Sequence, residues 1–164
     1  CLAFAIEEPK HVNVWRNRLD ERGLSTGPWL ASLKRAIYDD RPDDTPVALP
    51  GGGTLPLGEL RRSVVSETPG QKIAYVTDAA YTPANAAAVV ALAGSADILF
   101  IEAAFPEADA GVAADRAHLT ATQAGTLARR AGVRAVEPFH FSPRYHDRED
   151  ALRAEVAAAF AAGC

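Results

Sequence analysis

Residues 133–145 read VRAVEPFHFSPRY: a short apolar strand that runs straight into His140, then Ser142, Arg144 and Tyr145. Two other apolar runs stop in the same way. KIAYVT, at 72–77, ends at Asp78, and DILFI, at 97–101, ends at Glu102. In open α/β architectures ligands bind outside the carboxyl ends of the strands. Three strands that deliver Asp, Glu and His at those ends are therefore expected to deliver them to one place.

The segments between these strands carry helix signals. Thr82 and Pro83 stand in cap-then-proline order before an alanine-rich run to Ala93 that Gly94 stops. Thr120 and Gln123 make a capping box, Leu127 falls on the inner face, and Gly132 ends that helix. Residues 103–117 read as loop, 133–138 as the last strand, and about 147–160 as a closing helix. The order β-α-β-α-β-α with short links predicts an α/β fold in one domain over 1–164.

Upstream, Leu2, Phe4 and Ile6 alternate as in a strand. Val12, Trp15 and Leu19 share a helical face away from Arg16, Arg18 and Arg22, and Gly23 is the predicted stop. Thr26 is the predicted cap of a second helix, with Pro28 in its first turn and Leu30, Leu33 and Ile37 as its buried stripe. Together these make a basic helical hairpin over about 10–37, with Trp15 and Trp29 read as core. Residues 38–58 read as a loop with a brief strand at 47–49. Gly51, Gly52 and Gly53 read as a turn, because a phosphate loop needs Lys-Ser/Thr opening a helix after its glycines and Thr54, Leu55 and Pro56 supply neither.

Composition sets the outer bounds. An apolar fraction of 48% over 164 residues is ample for one packed core, and no run approaches the roughly 18 apolar residues of a membrane span. The only cysteines, Cys1 and Cys164, are the two ends, which excludes a disulfide framework and fits a reducing cytoplasm; they read as unrelated exposed thiols. The absence of methionine leads to the expectation that something precedes Cys1. Net charge is −4, yet residues 10–36 hold six Lys or Arg against two acids, leaving −8 for the remainder. Such a local basic patch is what a phosphate backbone follows, and it is equally an ordinary solvated helix face.

Several residues can carry chemistry. Asp78 follows a buried strand and precedes small residues, so its carboxylate can bind a divalent cation or serve as a turn acid. Glu102 has the same ambiguity, and a buried Glu needs a partner. His118 precedes the helix opened by Thr120, whose amino end welcomes an anion and brings a phosphate within reach of an imidazole proton donor. His140, flanked by phenylalanines, suits a metal-bound imidazole or a satisfied core histidine. Arg144 can fork onto phosphate oxygens while Ser142 or Tyr145 adds hydroxyl bonds, and Thr120 joins them as a candidate phosphate-binding residue. His11 and His146 are read as surface residues.

IAYVTDAAY, LFIEAAF, AHLTATQAG and PFHFSPRY, in this order and spacing, resemble the second half of ribonuclease Z, a metallo-β-lactamase-fold enzyme that trims the 3′ trailer of precursor tRNA. The resemblance covers roughly residues 2–160, and GPWLASLKRA is similar to a pattern linked in that family to tRNA binding. It implies the second half of an αβ/βα sandwich, with the basic hairpin as an insertion and the first half of the domain as a missing partner. It also implies two divalent metal ions, zinc or else manganese or magnesium, with Asp78 bridging them and His140 completing one sphere. Glu102 and His118 match the acidic and HST-like motifs beside the scissile phosphate, RNA is the implied substrate, and a homodimer the implied assembly. The family's HxHxDH motif has no counterpart among the four histidines; Thr77, Asp78, Ala79 stand where Gly-Asp-Thr is usual, and Leu119 where Ser is common. The alternatives are a non-catalytic half-domain or binding module, and a metallohydrolase of small phosphodiesters or other esters.

Overall fold

The computed structural model describes residues 2–163; the reading of Cys1 and Cys164 as free thiols lies outside them. In chain order the elements are β1 (Leu2–Glu7), β2 (His11–Val14), α1 (Arg16–Glu21), α2 (Trp29–Tyr38), β3 (Pro46–Ala48), β4 (Thr54–Pro56), α3 (Leu57–Val64), β5 (Val65–Thr68) and β6 (Lys72–Thr77). They continue with α4 (Pro83–Ala93), β7 (Ile98–Glu102), α5 (Ala110–Asp115), α6 (Ala121–Ala131), β8 (Ala135–Phe139) and α7 (Glu149–Ala161). Short 3-10 turns occupy Glu107–Asp109 and Pro143–Arg148. The chain divides into two compact units, one made of residues 2–8 with 71–163 and the other of residues 9–70.

In the larger unit a four-stranded sheet runs in the order β1-β6-β7-β8. β1 pairs antiparallel with β6, while β6, β7 and β8 are parallel. The α/β alternation thus holds where it was legible, and all three parallel strands end on the same edge. One face of the sheet, through Ala74, Val76, Leu99 and Ile101, joins the core with Ala86 and Val89 of α4, Ala124 and Leu127 of α6, and Leu152 and Val156 of α7. At the strand starts Asp97 accepts the Lys72 N–H (2.8 Å) and pairs with Arg134 (2.9 Å), tying the sheet's lower edge. The opposite face carries an aromatic ladder, Phe4 on Tyr75 (5.2 Å between ring centroids) and Tyr75 against Phe139 (4.9 Å), with Leu2 and Ile6 each 63% exposed.

The caps behave as their chemistry dictates. Thr82 accepts the Asn85 N–H before Pro83 opens α4. Thr120 and Gln123 form the reciprocal capping box on α6, and Gly132 closes that helix in the left-handed conformation at φ 64°. Residues 103–117 are more ordered than a loop: they hold a 3-10 turn and α5. No long apolar run announces so short a helix, which explains its absence from the sequence reading. The closing helix begins at Glu149, after the 3-10 turn that takes up 143–148.

The smaller unit departs further from expectation. Residues 11–14 form a strand paired with β5, not the start of a helix: the apolar spacing of Val12 satisfies both periods, and hydrogen bonding to 65–68 decides for the strand. Trp15 consequently precedes α1 and is 47% exposed beneath the Arg18 guanidinium, whereas Trp29 is core with Leu33 and Ile37. Pro28, not Thr26, occupies the N-cap of α2, and no side chain caps it. Residues 38–58 contain the β3–β4 hairpin turned at Gly51, Gly52 and Gly53, and α3 follows. Half of the basic charge of residues 10–36 is answered within the unit: Lys10 pairs with Asp40 and Glu67, Arg22 with Glu59, and Arg35 with Asp39. The Arg61 guanidinium beside Glu67 holds its carboxyl below the usual carboxylate range.

Gly125 sits where α6 meets α7 backbone to backbone. A methyl group there would overlap the Val156 carbonyl oxygen and lie 2.8 Å from Ala159 Cβ. Gly125→Ala should lower stability by about 1–3 kcal/mol through overpacking, read as a reduced urea midpoint. Gly111→Ala, in the open on α5, should be neutral or slightly stabilising in the same titration.

Candidate functional site

The upper edge of the parallel strands gathers four side chains. Asp78 follows β6, Glu102 is the last residue of β7, His140 follows β8, and His118 stands just before α6. Each offers one ligand atom, and these atoms all lie within 4.8 Å of one another. Glu102 is fully buried, whereas the side chains of Asp78, His140 and His118 are 51%, 44% and 23% exposed.

Glu102 is the hub. Its Oε1 accepts the N–H groups of Ala79 (2.8 Å) and Leu119 (3.2 Å), and its Oε2 lies 2.7 Å from His118 Nδ1 and 3.2 Å from His140 Nδ1. A carboxylate only accepts, so each facing Nδ1 carries its proton and leaves Nε2 as the ring's basic atom. Asp78 Oδ1 stands 3.9 Å from His118 Nδ1 and 3.7 Å from His140 Nδ1, completing the cluster from the exposed side.

The backbone bends to make this meeting. Asp78 and His140 both adopt positive φ, 52° and 59°, a region that Asp and His enter more readily than most residues. Ala117 does the same at φ 59°. There α5 ends with His118 N–H donating to Ala113 O (2.9 Å) and Ala117 N–H to Ala114 O (3.1 Å), the paired bonds of a Schellman stop. The chain leaves that stop at His118 and enters the capping box at Thr120.

A cleft of about 160 Å³ opens beside the cluster, lined by Ala104, Phe105, Arg116, His118, His140, Phe141, Ser142, Pro143 and Arg144. Ser142 N–H donates to Ala104 O (3.0 Å), which holds the 140–144 segment against the loop after β7. A family model for the beta-lactamase superfamily domain matches residues 45–141. The chain belongs to that superfamily. It is also similar over most of its length to curated ribonucleases Z. The protein from Deinococcus radiodurans is 35% identical over 96% of this chain and 46% of its own length. Those from Thermobifida fusca (39%, over 96% of this chain) and Kineococcus radiotolerans (46%, over 98%) are matched over 44% of their own lengths. The chain thus spans a little under half the length of these relatives.

For a chain of this superfamily, the donor set matters. Asp, Glu and two His make an oxygen-and-nitrogen group that can hold a divalent metal ion. With Glu102 committed to four N–H donors, the exposed Asp78 carboxylate and the His140 imidazole are the groups left to hold such an ion. Residues 78, 102, 118, 140, 142 and 144 thus come together at one edge. Thr120 and Tyr145 are placed differently: both are buried, the Thr120 hydroxyl donates to Glu107, and the Tyr145 hydroxyl donates to Asp109. That hydrogen bond pushes the Tyr145 phenol above its ordinary range. Arg116 lines the cleft although nothing in DRAHLT beyond its nearness to His118 marks it. His11 and His146 are exposed, as expected of surface histidines. No helix among the described residues is long and apolar enough to cross a membrane.

Glu102→Gln keeps the shape of the hub but puts an amide NH₂ where only an acceptor fits. It should lower stability by about 2–3 kcal/mol, measured by urea unfolding, because hydrogen bonds to a charged group are lost. An unchanged midpoint would contradict the hub.

Proposed function

We propose that this chain carries part of the active site of a ribonuclease Z-type, metal-dependent phosphodiester hydrolase that processes RNA 3′ ends, with precursor tRNA as substrate. The observation that carries this reading is the pair of imidazoles held by Glu102 opposite Asp78, beside a cleft with two arginines. The similarity to curated ribonucleases Z supports the substrate class.

In this reading Asp78 and His140 hold divalent ions, two in the complete site and zinc by preference. When bound, these ions supply Lewis acidity and lower the pKa of water at the site. His118 keeps Nδ1–H on Glu102, so its basic Nε2 first takes a proton from solvent and, as the imidazolium, passes it to the leaving oxygen. Ser142 and Arg144 take the non-bridging oxygens of the phosphate. Thr120 and Tyr145 act from behind, by fixing the start of α6 and the 143–148 turn.

Two donors fall short of the three protein ligands usual at a catalytic zinc. The exposed aromatic face of the sheet is likewise one that a layered parallel sheet covers. Both features support assigning the remaining ligands and the covering layer to the rest of a metallo-β-lactamase-type domain, of which residues 1–164 are one part and the hairpin at about 10–37 an insertion. A homodimer in the cytoplasm follows from the same family reading. The shortage of donors equally favours a second reading, a non-catalytic half-domain.

His118→Ala should lower turnover of precursor tRNA by about 10²–10⁴-fold while sparing bound metal, whereas Asp78→Ala should lower metal content measured by elemental analysis. Turnover unchanged in both variants would reject the assignment. A wild-type protein that takes up no zinc or manganese would favour the non-catalytic reading.

A further inference from the structure

Arg116 has no place in the cluster, yet it lines the same cleft as His118 and Arg144. It is the C-cap residue of α5, so the Schellman stop at Ala117 holds Arg116 and His118 two residues apart on one rigid turn. Arg144 reaches the cleft from a separate segment, the turn after β8. The phosphate-facing His118 is thus flanked by guanidinium groups on two independent supports.

Neither guanidinium forms a hydrogen bond or ion pair among the described residues; Arg130 and Arg148 have none either, while three other arginines of the unit are engaged. Arg134 pairs with Asp97, Arg153 with Glu137, and Arg129 donates to the Ala162 carbonyl. The two carboxylates of the turn preceding α5 are engaged elsewhere, Glu107 by the Thr120 hydroxyl and Asp109 by Tyr145. An exposed arginine left without a carboxylate at the mouth of a cleft is arranged for an anion that arrives from solution. One phosphate at His118 already has Arg144. In a chain of net charge −4, a second free guanidinium concentrates positive charge where a second phosphate would lie.

We propose that Arg116 binds the phosphate next to the scissile one, so that the cleft favours a polynucleotide over an isolated phosphodiester. This rests on the hydrolase reading above and adds to it a specificity-determining residue. Arg116 recognises charge and the planar spread of two phosphate oxygens, not base identity, so its contribution is uniform across RNA sequences.

The test compares Arg116→Ala and Arg116→Lys with wild type in the full protein. It uses an RNA with a 3′ trailer, the small diester bis(p-nitrophenyl) phosphate, and RNA binding by fluorescence anisotropy over a salt series. Arg116→Ala should raise KM for RNA about tenfold, a loss that sits in KM more than in kcat and exceeds the loss on the small diester. The slope of log affinity against log salt should become shallower by about 1, and Lys should restore the slope but only part of the KM. An unchanged slope and KM in a protein that cleaves RNA would overturn the role of Arg116 alone, as would equal losses on both substrates. Wild-type protein that cleaves neither substrate would overturn the hydrolase reading, and the anisotropy slopes would then decide for or against Arg116 by themselves.

Discussion

The carboxylate of Glu102 is the point on which the site depends. A fully buried acid is costly unless every lone pair is used, and here the partners are two backbone amides and two imidazoles. They come from the ends of β6 and β8 and from the turn before α6, so one side chain couples all the segments that meet at the sheet's upper edge. Without that acceptor, the Ala79 and Leu119 amides would be buried without partners and the two imidazoles would be free to rotate. Stability and chemical readiness therefore rest on the same group.

The second constraint is backbone strain placed beside that hub. Left-handed conformations at Asp78, Ala117 and His140 each cost about 1–2 kcal/mol relative to extended or helical backbone, least for Asp and His. They persist because the surrounding bonds over-determine them: the Ala79 amide locks onto Glu102 directly after Asp78, and the two Schellman bonds bracket Ala117. The bends turn the chain sharply at strand and helix ends, which is how side chains from successive elements converge within hydrogen-bonding distance.

Much of the larger unit was legible because its signals are local. The apolar runs of β6, β7 and β8, the Thr82-Pro83 start and the Thr120/Gln123 box each specify their element within a few residues, and parallel pairing then aligns Asp78, Glu102 and His140. What stayed hidden depends on distant partners. β2 is a strand only because β5 lies beside it, and Trp15 is exposed because the helix starts after it. The inward engagement of Thr120 and Tyr145 depends on Glu107 and Asp109. Both acids sit in a segment whose sequence resembles a loop, so nothing in the string of letters reveals which hydroxyls they capture.

The claim at the centre is that Glu102 fixes the protonation pattern of His118 and His140, and nitrogen-15 NMR of the histidine rings tests it most directly. In metal-free protein at about pH 8, where ordinary imidazoles are neutral, both rings should be locked with the proton on Nδ1 and a bare, pyridine-like Nε2. The exposed His146 ring supplies the internal comparison. Finding His118 and His140 in the opposite tautomer, or averaging between tautomers as exposed histidines do, would contradict the account.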